Sequence, residues 1–222
     1  MNEPVILPVE DNAVPPLDSR LRAALVEIVA REVSSARVLD VMRFVPRHVF
    51  VPEHPLKEAY ADYPLPIGHG ATISQPTVVG MMSAALALDG SERILEIGTG
   101  SGYQAAVLSA LALHVDTFEI IPELAARARH ALQELGMTNV DVHVGDGWGG
   151  FPGGAPFDRI VVTAAPDRLP EALVDQLAEG GFLVVPVGPQ SADQRLERHQ
   201  KRGGQLVRED LGAVRFVPMV HG

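Results

Sequence analysis

From Ser91 to Val187 the chain alternates between short apolar runs and stretches with helical spacing, and this alternation restricts the folds open to it. Apolar runs at 93–97, 115–119, 140–144, 159–163 and 181–187 read as strands. Helical spacing fits 102–113, 122–135 and 169–178, and a further helix at 76–88 precedes the first strand. Strands that alternate with helices pair in parallel, because a parallel neighbour is reached only through a long crossover. The expectation is a doubly wound α/β domain: a mostly parallel sheet with helices on both faces. The end of the chain differs. RLERHQ, RGG and QLVRED predict an antiparallel hairpin, and AVRFVPM a last strand, so the sheet should finish on antiparallel C-terminal strands.

Upstream of the sheet the pattern is looser. Residues 1–17 carry four prolines and no periodicity, and read as a flexible tail. Residues 18–222 read as one domain whose N-terminal part, 19–45, is helical: Leu21, Leu25, Ile28 and Val29 share one face, and Val38, Leu39 and Met42 another. The pair Val45-Pro46 ends that part, since a residue before proline is pushed out of the helical basin. Residues 50–77 are dense in Pro and Gly and read as ordered loop.

Composition excludes several chemistries. The chain has no cysteine, so disulfides, thiol nucleophiles and cysteine–zinc sites are excluded. Its eight histidines include no H-x-x-x-H pair, and no metal site is expected. A formal charge of −10 gives nucleic acid and anionic membrane surfaces little reason to bind. No apolar stretch is long enough to span a bilayer, the N-terminus has no signal-peptide pattern, and a cytoplasmic protein is expected.

The polar motifs fall at the carboxyl ends of the predicted strands, where doubly wound sheets bind ligands. After the first strand comes Glu96-Ile-Gly98-Thr-Gly100-Ser-Gly102, whose glycines let a ligand approach the backbone. Glu119 ends the second strand, about where an acid meets ribose hydroxyls. Gly145-Asp146-Gly147 ends the third, and Thr163-Ala164-Ala165-Pro166 the fourth. Singly, each has a plain structural reading: a tight turn, a surface acid, a turn residue. Together on one sheet edge they favour a nucleoside-type ligand. Glu96 would repel a pyrophosphate at the helix start, whereas it suits a cation such as the amino group or sulfonium of S-adenosylmethionine. This arrangement resembles a class I S-adenosylmethionine-dependent methyltransferase, a Rossmann-like fold.

A more specific resemblance follows from VPRHVFVP (45–52), AYADYPLPIG (59–68), ATISQP (71–76), LEIGTGSGYQAAVL (95–108), GDG (145–147), APFDRIVVTAAP (155–166) and VRFVPM (214–219). In this order, over about residues 36–220, they resemble the protein-L-isoaspartate O-methyltransferase family. PLPIG and ATISQP are the most diagnostic. The resemblance implies a repair enzyme that methylates the free α-carboxylate of isoaspartyl residues in damaged proteins. It implies Ser74 as the catalytic residue, with Ala71, Thr72 and Ile73 over the methionine end of the cofactor. Glu96, Gly98, Gly100 and Gly102 would line the cofactor, Glu119 would bind ribose, and Asp146 with Gly147 would bracket adenine. The segment holding Val214, Phe216 and Val217 would pair with the substrate backbone as an extended strand.

The chemistry asks for little more. A carboxylate is ionised at neutral pH and needs no general base, so alignment can supply most of the catalysis. From the residues alone, Ser74 before Gln75-Pro76 reads as a loop or helix-cap residue. His48 and His69 read as structural, Trp148 as an adenine cover or a packing residue, and Asp62 as a turn cap or a substrate contact. Gly153-Gly154 and Met219 depart from the family pattern. A monomer acting on isoaspartyl proteins and peptides is expected. A relative that tailors one dedicated peptide, or a non-catalytic substrate receptor, remains as an alternative.

Overall fold

A computed structural model of the chain describes residues 16–221. The start of the predicted tail therefore lies outside the described residues, and its last position, Leu17, already belongs to a helix. The elements run α1 (Leu17–Val29), α2 (Ala36–Phe44), a 3-10 turn (Arg47–Phe50), α3 (Leu56–Ala59), β1 (Leu65–Gly68), β2 (Ala71–Ile73) and α4 (Pro76–Ala85). Then come β3 (Arg93–Ile97), α5 (Tyr103–Ser109), β4 (His114–Glu119), α6 (Pro122–Glu134), β5 (Val140–Val144) and a 3-10 turn (Gly147–Gly149). The chain closes with β6 (Phe157–Val162), α7 (Glu171–Gln176), β7 (Leu177–Val187), β8 (Gln194–Arg202) and β9 (Gln205–Val214).

The large sheet has the order β5-β4-β3-β6-β7-β8-β9. Its first five strands are parallel, and β8 and β9 are antiparallel. Strand order reverses between β3 and β6, which puts the ligand crevice of a doubly wound sheet at their carboxyl ends. One face packs α4 and α5 through Met82, Leu86, Ile94, Leu108, Val161 and Val184. The opposite face packs α7 through Leu95, Ile97, Ile160, Val162 and Leu173. The side chains alternate across the pleat, so neighbours such as Ile94 and Leu95 serve opposite layers.

Several expectations change in detail. The helical part 19–45 is two helices, broken where Ser35 caps α2 by accepting from the Val38 N–H. Helix 102–113 ends at Ser109, because the Asn139 amide takes the carbonyls of Ser109, Ala112 and Leu113. Helix 169–178 shortens to α7, since the chain pairs with β6 from Leu177 onward. The loop 50–77 holds the hairpin β1–β2, hidden in the sequence by its short, proline-bearing strands. The predicted strand AVRFVPM is not one: β9 ends at Val214, and beyond it only a bridge between Ala165 and Pro218 forms. Pro218 has no N–H for a ladder, and both Phe216 backbone groups bond to the Gln194 side chain instead. Among the described residues no helix is long and apolar enough to cross a membrane.

Candidate active site

A cavity opens at the switch point. Its floor is the glycine loop after β3, and its wall the end of β4 with Phe118, Glu119, Ile120 and Ile121. Its roof is the hairpin β1–β2, contributing Ala71, Thr72 and Ile73. Ser74 follows directly, and Val217 to Val220 close the remaining side.

The glycines serve distinct ends. Gly98 has φ +98°, and a Cβ there would lie 2.5 Å from the Thr163 hydroxyl oxygen, so the position admits no side chain. Gly100 lines the cavity at φ +53°. Gly102 does not line it: a Cβ would meet the Ala128 Cβ at 3.0 Å, so this glycine lets α5 approach α6. Gly147 lines the cavity, and a Cβ there would collide with Ile97.

Glu119 stands at the wall, buried but facing the cavity. Its two carboxylate oxygens accept from the Gly100 N–H at 2.8 Å and the Ile121 N–H at 3.0 Å. Each oxygen keeps a further lone pair, so the group can accept from a vicinal diol while holding the glycine loop.

Besides Gly102, two more expected cofactor residues sit elsewhere. Glu96 is fully buried behind the wall, and among the described residues neither of its oxygens has a hydrogen-bond partner. The pleat sends it to the face of Ile94, away from Ile97, which does line the cavity. Burial pushes its carboxyl up to about 8, opposed by the nearby Thr117 hydroxyl and reinforced by the Glu119 charge. Asp146 turns away to cap the 3-10 turn, accepting from the Trp148 N–H at 2.8 Å, and lies 3.5 Å from the His221 ring nitrogen. Trp148 stacks on His221 at 4.4 Å and lines no part of the cavity.

A second crevice adjoins the first, lined by Val214, Arg215, Phe216, Val217, Thr163, Thr72 and Ser74. Thr72, Ser74, Thr163 and Val217 belong to both. Phe216 cannot offer backbone pairing here, because its carbonyl already accepts from Gln190 and Gln194. The Ser74 hydroxyl does not cap α4: Gln75 is the cap residue, and the Thr77 N–H goes to Asp62 at 2.9 Å. Asp62 also accepts from the Thr77 hydroxyl and the Gln75 amide, which makes it the cap of that helix start.

Sequence reasoning passed over Arg47. It is wholly buried and donates to the carbonyls of Ala59 (2.9 Å), Ser74 (2.8 Å) and Tyr63 (3.3 Å). Burial lowers its pKa to about 10, with the Tyr103 ring and Asp62 opposing. It ties the strand of chain holding Ser74 to the segment before the hairpin. A charged residue inside an apolar motif, VPRHVFVP, was the available signal. His48 is structural, 2.7 Å from the Tyr60 hydroxyl, whereas His69 lines the first cavity.

The profile of the protein-L-isoaspartate(D-aspartate) O-methyltransferase family matches residues 20–222. The chain is 53% identical to a protein-L-isoaspartate O-methyltransferase of Gloeobacter violaceus, over 85% of this chain and 92% of that one. It is 50% identical to another from Methanoculleus marisnigri, over 90% and 92%. A solved protein-L-isoaspartate O-methyltransferase superposes with a TM-score of 0.82 at 31% identity, covering 89% of this chain and 65% of that longer one. A Plasmodium falciparum structure described as a putative member, in complex with S-adenosyl-L-homocysteine, gives 0.78 at 25% identity, covering 90% and 99%.

Proposed function

The chain belongs to the protein-L-isoaspartate(D-aspartate) O-methyltransferase family, and from that premise we propose how its residues divide the work of the reaction. The enzyme transfers a methyl group from S-adenosylmethionine to the free α-carboxylate of isoaspartyl residues. The first cavity fits that cofactor on its own terms: Gly98, Gly100 and Gly147 line it with backbone alone, and a carboxylate with spare lone pairs stands at its wall.

Gly98, Gly100 and Gly147 admit the cofactor, Glu119 holds the ribose, and Ala71, Thr72 and Ile73 cover the methionine end. Bound, the cofactor supplies an electrophilic methyl group. The substrate carboxylate enters through the second crevice, along Val214, Arg215 and Val217. It is ionised near neutrality, so the site needs no base. The Ser74 hydroxyl donates to it and fixes its line of approach. Rate then comes from alignment, which is worth several kcal/mol when two reactants are held in reacting geometry.

The observation that carries this division is that Ser74 lines both cavities. The same reading places the enzyme in the cytoplasm as a monomer, acting on proteins and not on nucleic acid or membranes, in keeping with its charge of −10. Paired peptides that differ only in isoaspartate or aspartate test it. The isoaspartyl member should accept methyl groups faster by orders of magnitude. Equal methylation of both, or methylation of one dedicated sequence alone, would instead support a tailoring enzyme, and no methylation a receptor.

A further inference from the structure

Outside the cavities, four metal-binding side chains gather on the open face of the sheet edge. β4 carries His114-Val-Asp116 and β5 carries Asp141-Val-His143. The two strands pair in parallel with Asp116 opposite Asp141 and Phe118 opposite His143. With a period of two, all four polar side chains lie on one face. The alternate residues of β5, Val140 and Val142, pack into the apolar cluster that holds Leu124 and Leu132 of α6 on the other.

The distances suit a cation. The His114 Nε2 lies 3.6 Å from Asp116 Oδ2 and 3.4 Å from Asp141 Oδ2, and one donor atom of each residue lies within 4.8 Å of the others. Donors bound tetrahedrally at about 2.0–2.1 Å stand roughly 3.3 Å apart, so a small inward movement of the exposed Asp141 completes the set. Asp116 is held already. Its side chain is 6% exposed, and its Oδ1 lies 2.9 Å from the His143 Nε2. The His143 ring is fixed in turn by stacking on Phe118 at 4.7 Å. A ligating carboxylate steadied by a hydrogen bond from behind is the usual support of a metal site.

We propose that His114, Asp116 and Asp141, backed by His143, bind a divalent transition cation such as Zn²⁺ or Co²⁺. Mixed imidazole and carboxylate donors favour these ions over Ca²⁺ and Mg²⁺, which prefer all-oxygen sets. The cation would tie the edge strand β5 to β4, next to the wall of the cofactor cavity but outside it. One group competes: the Arg93 guanidinium of β3 lies 3.9 Å from Asp116 Oδ2, on a part-exposed arm. Without a metal, the same residues would form cross-strand His–Asp ion pairs, and the two accounts diverge under test.

The test is titration of the untagged full chain with CoCl₂ and ZnCl₂, followed by calorimetry, visible absorption and thermal melting. One equivalent of Co²⁺ should bind with the absorption bands of a low-coordinate N/O site, and Zn²⁺ should raise the melting temperature by linkage. Asp141→Asn and His114→Gln, both at accessible positions, should abolish these responses. His143→Gln should weaken binding roughly 10–100-fold, and Arg93→Met should leave it unchanged or tighter. Absence of saturable binding at millimolar metal would overturn the proposal. So would binding that survives both Asp141→Asn and His114→Gln in variants with wild-type circular dichroism.

Discussion

Glu96 is a carboxyl group in a place that disfavours its charge. Both oxygens are buried without hydrogen-bond partners among the described residues, and burial pushes the group up to about 8 from an ordinary 4.5. The folded state therefore keeps a proton that the unfolded chain releases, so stability falls as pH rises from the ordinary value toward the folded one. Glu96→Gln removes that dependence. Near pH 8 the ligand-free variant should be more stable than the parent by several kcal/mol, the linkage cost of keeping a proton that the unfolded chain has released; near pH 5, where little of that cost has built up, the two should differ little. Melting curves of both proteins across this range give the answer, and a parent whose stability does not change between pH 5 and 8 would contradict it. Glu96 also marks the limit of what the sequence shows. The ligand it suggested agrees with the family, yet its side chain never reaches the cavity. Which face a strand residue takes depends on register, and the motif leaves that open.

At the scale of elements, Arg47 joins three segments through the carbonyls of Ala59, Tyr63 and Ser74. Arg47→Met keeps the bulk and leaves three buried acceptors unmet. It should cost roughly 2–5 kcal/mol of stability, and the folded fraction should lose turnover more than cofactor affinity, because the Ser74 segment is what loosens. Denaturant unfolding and isothermal calorimetry measure the two effects; unchanged turnover in the folded fraction would separate Arg47 from the site. The strands and helices of the sheet were legible because their periods are strong over five or more residues. The hairpin β1–β2 was not, since LPIG and ATI are too short to show alternation, and β1 is fastened by the Arg127 guanidinium donating to the Ile67 carbonyl from far along the chain. The segment after β9 misled for the opposite reason. AVRFVPM has strand composition, but glutamine side chains and a proline take it out of the ladder. The paired H-x-D and D-x-H of β4 and β5 are not legible as a cluster in the sequence, because which strands pair, and in what register, is set only by the fold.

For the whole molecule, the order β5-β4-β3-β6-β7 decides where chemistry can occur. The reversal between β3 and β6 opens one cavity, and the segment after β9 returns along Ala165 to frame a second beside it. On the proposed reading, cofactor and protein substrate enter separately and meet at the lining the two cavities share, Thr72, Ser74, Thr163 and Val217, with Ser74 as the reacting donor. The account stands or falls on that meeting point. Single-turnover methyl transfer from bound S-adenosylmethionine to an isoaspartyl peptide, measured for Ser74→Ala beside its cofactor affinity and melting temperature, tests it most directly. The predicted result is a rate lower by about 10²-fold, the low end for one well-placed donor, with affinity and melting temperature unchanged. A wild-type rate in the folded variant would contradict it.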